Sequence, residues 1–294
     1  MCIYHIPVLL RESIAALAIK PSGIYVDATF GGGGHSREIL NQLGNGGVLL
    51  GFDQDPDTRE NIPDDKRFQW IQSNFRYVHN FCRYKGYPLA DGILADLGVS
   101  WHQFDTGERG FSFRFDSPLD MRMNRNSSLT AAQVLNRYTP EKLEELFFQY
   151  AELPNARALA RAVVAERELG ELRTTADLHR ALGNFIPKAG NHKFLAKIYQ
   201  ALRIEVNGEM QALEGFLSQT VPLLKPGGRL VVITYHSIED RMVKHFIRQA
   251  GSNRLLEPIT KKPVLPSEEE IQANPRARSA KMRAAERTEE RGNG

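Results

Sequence analysis

Residues 23–36 read Gly-Ile-Tyr-Val-Asp-Ala-Thr-Phe-Gly-Gly-Gly-Gly-His-Ser, which sets a short apolar strand directly before a run of four glycines. A helical pattern follows from Ser36 to Leu43. Glycines between a strand and a helix allow a ligand to approach the backbone and the helix N-terminus. This stretch therefore predicts the strand–loop–helix unit of an α/β ligand-binding fold.

The glycine spacing fits neither of two common phosphate-binding loops. The dinucleotide pattern G-x-G-x-x-G fails because its last position falls on Ser36 or Arg37. The pattern of phosphate-loop NTPases, G-x-x-x-x-G-K followed by Ser or Thr, does not occur in the chain. The loop therefore predicts a ligand-binding site without predicting a phosphate.

Short apolar segments recur along the chain at intervals that leave room for helices. After the first strand they are Val48–Asp53, Phe68–Gln72, Gly92–Asp96 and Arg229–Tyr235. This alternation is typical of βαβ units and a parallel sheet. Between about residues 105 and 207 no strand pattern occurs, and helices are predicted instead, one starting at Thr139-Pro140 and a long one from about 192 to 220. The sequence therefore predicts an α/β sheet that a helical block interrupts.

Composition excludes several classes of protein. The 294 residues carry 38 basic and 35 acidic side chains, and the resulting net charge of +3 is too small to indicate nucleic-acid binding by itself. Two cysteines, Cys2 and Cys82, exclude a disulfide framework and a multi-cysteine zinc module. No apolar run approaches the ~20 residues of a membrane span, and the N-terminus lacks a secretory signal pattern. A cytoplasmic protein without a membrane partner is therefore expected.

Three predicted strands end in an aspartate, namely Asp27, Asp53 and Asp96. The carboxyl ends of parallel strands meet at one edge of a sheet, where ligands bind. Asp53 follows Gly33 by 20 residues, the spacing at which a carboxylate meets ribose hydroxyls in nucleotide-binding folds. Carboxylates repel a pyrophosphate but attract a cation, so the pattern favours S-adenosylmethionine, which carries an ammonium and a sulfonium, over NAD. The alternative is that each aspartate caps the helix that follows it.

Eight segments, taken in order, give the chain a resemblance to a known family. They are His5–Leu10, Asp27–Ser36, Asp96–Ser100, Arg109–Phe113, Pro118–Met123, Gln200–Asn207, His236–Arg241 and Asn274–Ser279. With them the chain resembles the bacterial 16S ribosomal RNA cytosine-N4 methyltransferase family over nearly its whole length. The resemblance implies methyl transfer from S-adenosylmethionine to the exocyclic N4 amine of a cytidine in the decoding region of 16S rRNA.

The same resemblance implies a domain organisation and a set of cofactor contacts. A Rossmann-like S-adenosylmethionine-dependent methyltransferase domain is expected at residues 1–104 and 208–294, with an inserted all-helical domain for substrate recognition at residues 105–207. Besides Asp27, the expected cofactor contacts are Gly33, Gly34, His35, Asp53, Phe75, Asp96 and Gln103. Asp53 is expected to bind the ribose and Phe75 to lie beside the adenine, although ordinary core packing is the alternative for Phe75.

Methylation of a cytosine amine needs an acceptor for an N–H hydrogen, because the lone pair of the amine is delocalised into the ring. Asp96, or a backbone carbonyl beside it, is the candidate acceptor, and positioning and electrostatics supply the rest. No metal is expected. For His236 a substrate-site role competes with a structural one, which is preferred, in which Ser237 and Asp240 form a capping box at the start of a helix.

Basic residues near the start of the helical block are candidates for contacts with RNA phosphates. They include Arg109, Arg114 and Arg122, and phenylalanines at positions 111, 113 and 115 alternate with them, as suits base stacking. Trp101 is a further candidate for stacking on the target base. The alternative is a core-facing stretch with solvated charges. The expected partner is 16S rRNA or the small ribosomal subunit, and a homodimer is left open.

Two other functions are left open by the sequence. One is a methyltransferase of the same fold that acts on DNA or on a small molecule. The other is a non-catalytic RNA-binding factor in ribosome assembly that keeps a vestigial cofactor fold. The intact glycine loop and the three aspartates favour retained cofactor binding.

The C-terminal residues 276–291 carry two conflicting signals. Six basic side chains in this segment predict a solvated, partly disordered tail. The family-matching segment Asn274–Ser279 instead predicts that the tail is ordered or contacts the substrate.

Overall fold

Seven strands form a single sheet in the computed structural model, which describes residues 7–98, 109–113 and 115–289. The strands are β1 (Ile24–Asp27), β2 (Val48–Asp53), β3 (Phe68–Gln72), β4 (Ala90–Asp96), β5 (Leu224–Thr234), β6 (Leu256–Pro258) and β7 (Lys281–Arg287). Their order across the sheet is β3-β2-β1-β4-β5-β7-β6. Strands β1 to β5 pair in parallel, whereas β7 runs antiparallel to both β5 and β6.

The chain divides into two compact units. The sheet unit consists of residues 1–98 and 211–294, and the helical unit consists of residues 99–210. The boundaries predicted from the sequence, between 104 and 105 and between 207 and 208, fall a few residues inside the helical unit. Substrate recognition by the helical unit stays a prediction.

The helices of the described residues are distributed over both units. The sheet unit holds α1 (Leu10–Leu17), α2 (Gly34–Gln42), α3 (Val78–Tyr84), most of α9 (Glu209–Leu223), α10 (Ser237–Ser252) and α11 (Glu268–Ala273). The helical unit holds α4 (Ala131–Arg137), α5 (Pro140–Ala151), α6 (Ala156–Leu169), α7 (Thr175–Leu182) and α8 (Asn191–Asn207). Across the described ranges, no helix combines the length and the apolar character that crossing a membrane requires.

The sheet is buried on both faces, as parallel strands with helices on either side require. Val26 and Leu50 point to one face, where they share a core with Phe216 of α9. Tyr25, the neighbour of Val26 on β1, points to the other face and packs in a core with Leu17 of α1. Successive strand residues therefore feed two separate cores. The predicted α/β fold class, with a helical block between β4 and β5, is confirmed.

The helix predicted from 192 to 220 is two helices, so that prediction was wrong. Helix α8 ends at Asn207 because Gly208 adopts a left-handed conformation with φ of +57°. The side chain of Asn207 donates to the carbonyl of Met121 at 2.8 Å and accepts from the amide of Met123 at 2.7 Å. The apolar stripe continues across the break, and periodicity alone did not reveal it. By contrast, α5 begins at Pro140 with Thr139 as its N-cap, as predicted.

The basic C-terminal segment is part of the sheet, so the prediction of a disordered tail was wrong for its described residues. Strand β7 inserts between β5 and β6, and Met282 and Ala284 are buried. Arg283 donates two hydrogen bonds to the carboxylate of Asp240 on α10, at 2.7 and 3.2 Å. Lys281 lies 3.6 Å from the same carboxylate. The basic charge is therefore partly used inside the fold.

Replacing Arg283 by alanine should lower the free energy of unfolding by about 3 kcal/mol, because the mostly buried carboxylate of Asp240 loses its bidentate partner. The matched control is Arg278→Ala, which removes an exposed arginine three residues before the start of β7 and should stay within about 0.5 kcal/mol of the parent protein. Urea unfolding of the two variants measures the difference. Equal stability of both would contradict a structural role for the Arg283 pair.

Candidate cofactor and active site

Three carboxylates stand at the carboxyl edge of the sheet. Asp27 ends β1, Asp53 ends β2 and Asp96 ends β4. Strand β1 pairs with both β2 and β4, and the sheet is built outward from there in opposite directions, through β3 on one side and β5 on the other. Open α/β sheets bind ligands at such a topological switch point. The three aspartates therefore lie at the edge where a ligand is expected.

Asp27 holds the glycine loop to the helix that follows. Its two carboxylate oxygens accept hydrogen bonds from the amide of Thr29 at 3.1 Å and from the hydroxyl of Ser36 at 2.7 Å. The residue is only 1% exposed. These contacts do not match the helix-capping alternative, because the N-cap of α2 is Gly33 and Asp27 accepts from the hydroxyl of Ser36 and not from a backbone amide of the first turn. A direct contact of Asp27 with a cofactor stays a prediction that its burial does not favour.

Asp53 is tied to the same loop from the next strand. One oxygen accepts from the amide of Gly31 and the other from the amide of Asp55, both at 2.8 Å. A carboxylate has about four acceptor sites, so both oxygens keep capacity for further donors such as ribose hydroxyls. Asp53 is half-buried and can be reached from the edge.

The glycine run allows close packing that side chains would prevent. Gly33 has a φ of +73°, and a Cβ atom at Gly34 would lie 2.2 Å from Cγ of Pro7. Helix α2 begins at Gly34, so its first amides point toward the loop. The loop is therefore shaped by backbone and offers backbone donors next to the carboxylates.

His35 and Asp96 meet at the centre of the edge. Nδ1 of His35 lies 3.8 Å from Oδ2 of Asp96, and Nε2 of His35 lies 3.1 Å from the carbonyl oxygen of Val8. The other carboxylate oxygen of Asp96, Oδ1, accepts a hydrogen bond from the hydroxyl of Tyr235 at 2.8 Å. The side chain of Asp96 is 23% exposed, so it reaches the open side of the edge.

The charges at this edge suit a cation. Loss of hydration raises the pKa of Asp27 and of Asp53 to about 6 and the pKa of Asp96 to about 7. The hydrogen bonds that each carboxylate accepts lower its pKa and so offset part of this rise. Burial also lowers the pKa of His35 to about 4, so the imidazole is neutral. Within the described ranges, no lysine or arginine forms an ion pair with any of these three aspartates. A positively charged ligand would supply the missing partner.

Phe75 follows β3 and opens a short 3-10 helix, Phe75–Tyr77. Its ring packs edge-on against Phe216 of α9, with centroids 5.3 Å apart. This contact is the core packing considered as the alternative for Phe75. The partly buried ring keeps an accessible portion, and its placement beside an adenine stays a prediction.

His236 caps α10, although not in the predicted manner. The capping box joins His236 itself to Glu239, and the predicted pair of Ser237 and Asp240 was wrong by one residue. Asp240 instead binds Arg283. The Nε2 atom of His236 lies 3.1 Å from Oε1 of Glu239, at an angle that gives no hydrogen bond, so this nitrogen has no hydrogen-bond partner among the described residues. The structural role is present, and a substrate role for His236 stays a prediction.

Two of the arginines predicted to contact RNA are engaged within their own loop. Arg109 is 6% exposed and donates to the backbone carbonyls of Arg122 and Met123. Arg122 forms two hydrogen bonds with the carboxylate of Asp120, at 2.8 and 2.7 Å. Arg109 therefore offers little surface to a phosphate, and its contact with RNA stays a prediction that its burial does not favour. The other two candidates for RNA contacts, Trp101 and Arg114, lie outside the described residues, and so does Gln103, a candidate for the cofactor site.

Sequence reasoning missed Tyr235 as a member of the site. A tyrosine does not by itself indicate a site, but Tyr235 is the last residue of the predicted strand Arg229–Tyr235. Since residues at the carboxyl ends of parallel strands share one edge, its position predicts the same edge as for the three aspartates. Thr29 was also missed. Its hydroxyl accepts a hydrogen bond from the amide of Asp96 at 2.6 Å, which ties the glycine loop to β4.

The fold and the site define the class of protein. It is an S-adenosylmethionine-dependent methyltransferase, with a Rossmann-like sheet whose last strand is antiparallel, a glycine loop after β1 and carboxylates that suit a cation. Comparison with known families agrees with this class. The sequence profile of the MraW methylase family matches residues 2–288. The chain belongs to the MraW methylase family, and the resemblance inferred from its sequence is confirmed.

Curated relatives align along nearly the whole chain. Ribosomal RNA small subunit methyltransferase H of Parabacteroides distasonis is 52% identical, covering 97% of this chain and 97% of the relative. The protein of the same name from Flavobacterium psychrophilum is 50% identical, covering 95% of this chain and all of the relative. Among solved structures, an rRNA methylase from Streptococcus thermophilus aligns with 97% of this chain and 99% of its own, at 11% identity and a TM-score of 0.44.

Cofactor affinity should depend on pH because of the carboxylates at the edge. Asp53 and Asp96, with pKa values of about 6 and about 7, are largely protonated at pH 5.5 and ionised at pH 8, and only the ionised forms attract a cation. The affinity for S-adenosylmethionine should therefore rise about tenfold or more between these pH values. Calorimetry at pH 5.5 and at pH 8 gives the two dissociation constants.

The control ligand for this titration is S-adenosylhomocysteine, which lacks the sulfonium charge. Its affinity should rise less steeply over the same interval, since one of the two cationic groups is gone. Equal affinities for S-adenosylmethionine at pH 5.5 and 8 would show that Asp53 and Asp96 do not act as partners of the cation.

Proposed function

We propose that this protein transfers the methyl group of S-adenosylmethionine to the exocyclic N4 amine of a cytidine in the decoding region of 16S rRNA. The proposal is supported most by Asp96, an ionisable acceptor that reaches the open side of the cofactor edge from the end of β4. The names of the relatives, which are 50–52% identical, support a small-subunit rRNA as the substrate.

The residues at the edge suit this reaction. The cofactor, when bound, supplies an electrophilic methyl group on its sulfonium. Asp53 and the amides of the glycine loop would hold its adenosine part, and the buried negative field would favour its cationic end. Asp96 would accept an N–H hydrogen bond from the cytosine amine, which returns electron density to the nitrogen. Positioning and electrostatics therefore account for the proposed catalysis without a nucleophile on the protein.

RNA recognition is proposed for the helical unit. Its exposed cations include Arg125, Arg137, Arg157, Arg161, Lys188 and Lys193. Phe115 is 57% exposed and Phe148 is 65% exposed, so aromatic surface for base stacking is also available. Cations that neutralise phosphates make binding weaken as salt rises. The target base must be single-stranded or extruded to enter a pocket of this kind.

The decisive test offers the purified protein labelled S-adenosylmethionine with three acceptors: small subunits from cells that lack this protein, free 16S rRNA, and DNA. We expect label in the rRNA of at least one of the first two, and nucleoside mass spectrometry should identify N4-methylcytidine. Label in DNA alone, or a different methylated nucleoside, would overturn the proposal. Cofactor binding without transfer to any acceptor would favour the non-catalytic assembly factor.

A further inference from the structure

We propose that Tyr235 and His35 are positioning residues that reserve one oxygen of Asp96, Oδ2, as the acceptor of the proton that leaves the substrate amine. The inference rests on the proposed function and deepens it, because it names the atom that accepts the proton and the two residues that set its orientation. All three residues belong to the sheet unit.

Tyr235 holds the first oxygen of Asp96. It directly follows β5, and its hydroxyl donates to Oδ1 of Asp96 at 2.8 Å. Its backbone amide donates to the carboxylate of Glu239 at 2.9 Å. Its ring packs against Gly98, where an added Cβ atom would lie 3.3 Å from the ring. The tyrosine is therefore fixed by backbone and ring contacts, and Oδ1 is occupied by a donor.

His35 faces the second oxygen with a lone pair. The carbonyl of Val8 can only accept a hydrogen bond, so the 3.1 Å contact requires the proton of the neutral imidazole on Nε2. Nδ1 then points a lone pair at Oδ2 of Asp96 across 3.8 Å. Two acceptors that face each other cannot bond until a proton lies between them. Among the described residues no donor binds Oδ2, so this oxygen is left for the substrate.

The proton balance of methyl transfer follows from this arrangement. The nitrogen of the cytosine amine forms a bond to the methyl carbon as the carbon–sulfur bond breaks, and the electrons of that bond stay on sulfur as a thioether. The methylated nitrogen then gives one proton to Oδ2 of Asp96. The new O–H can turn toward Nδ1 of His35 and donate to it, which stabilises the protonated carboxyl until solvent removes the proton.

Several charged groups act on Asp96 from the elements around it. Burial is the main reason that the pKa of Asp96 is raised, and the hydrogen bond from Tyr235 lowers this pKa. Repulsion by Asp27 on β1 and by Glu239 on α10 raises it further. His35 on α2 is neutral because burial lowers its pKa to about 4. Removing the phenol hydroxyl should therefore raise the pKa of Asp96 further and shift the acid limb of the reaction toward higher pH.

The variant Tyr235→Phe tests the role of the hydroxyl. At pH 7 we expect kcat to fall about tenfold or more, with the KM values for RNA and cofactor within threefold, and the acid limb of kcat to move up by one to two pH units. The matched control is Tyr25→Phe, which removes a buried hydroxyl at the opposite end of β1, where it accepts from the amide of Lys20 at 2.7 Å. Its pH profile should equal that of the parent protein.

Two measurements on the protein without cofactor or RNA test the inference apart from activity. Carbon-13 NMR should show the carboxyl of Asp96, assigned with Asp96→Asn, titrating at a higher pH in Tyr235→Phe than in the parent. Nitrogen-15 NMR should show His35 as the neutral Nε2–H form at pH 6–8. An unshifted carboxyl, or an Nδ1–H form, would overturn the inference. Absence of methyl transfer by the parent protein would instead overturn the proposed function.

Discussion

Replacing Asp96 by asparagine should reduce methyl transfer to rRNA by about 100- to 10,000-fold at pH 7.5. The amide keeps the size of the side chain but cannot take up a proton, and a positioned acid or base typically contributes a factor of this size. The loss should fall on kcat rather than on RNA binding, because Asp96 lies in the sheet unit at the cofactor edge and the cations proposed to bind RNA lie on the helical unit. Single-turnover transfer from labelled cofactor measures the step.

Asp96 also belongs to the predicted cofactor contacts, so cofactor affinity has to be measured beside turnover. If calorimetry shows that Asp96→Asn binds S-adenosylmethionine within about tenfold of the parent, the loss of turnover belongs to the transfer step. The control Glu60→Gln removes an exposed carboxylate from the same unit and should leave both quantities unchanged. Near-normal turnover in Asp96→Asn would rule out the carboxylate as the proton acceptor and point to a neighbouring backbone carbonyl.

Replacing Asp53 by asparagine should weaken the binding of S-adenosylmethionine about 100-fold. The change would remove the charge-assisted hydrogen bonds that Asp53 is proposed to accept from the ribose, and each such bond typically contributes about 1.5–3 kcal/mol. It also sets an amide NH2 group against the backbone amide of Gly31 or Asp55, both of which now donate to Asp53. Calorimetry on the variant gives the affinity, and thermal unfolding shows whether the loop has kept its structure.

Excess cofactor shows whether Asp53→Asn weakens cofactor binding or slows the transfer step. If the carboxylate of Asp53 acts in binding, saturating S-adenosylmethionine should restore most of the turnover of Asp53→Asn. The reduced turnover of Asp96→Asn should stay the same at any cofactor concentration. A variant of Asp53 that binds the cofactor like the parent would remove this residue from the proposed site.

The strands and their end residues were predictable because they depend on local patterns. A buried parallel strand must be apolar over its length, so β2 and β3 were both predicted with their observed bounds. The carboxyl edge of such a sheet is set by chain direction alone, so the strand ends predict that Asp27, Asp53 and Asp96 lie at one edge. The family followed from eight short segments in order.

Where local signals conflict with packing, the sequence was a poorer guide. Strand β7 alternates basic and small residues and reads as solvated, but it is buried because β5 and β6 supply its hydrogen bonds and Asp240 neutralises Arg283. The break at Gly208 was hidden because the apolar stripe continues through it. A glycine in a helical pattern is a weak signal, and its left-handed conformation is known only from the backbone.

The sequence by its periodicity and its motifs determined the class of fold, the family and the edge of the sheet where the chemistry is expected. Only the tertiary structure decided what each side chain does there, because a hydrogen-bond partner can come from anywhere in the chain. Asp27 accepts from Thr29 and Ser36, whereas Asp96 accepts from Tyr235, 139 residues further along the chain. Among the residues that the structure describes, no donor binds the second oxygen of Asp96. Burial then set the protonation of these groups, since the cost of removing a charge from water depends on the folded surroundings and not on the residue alone.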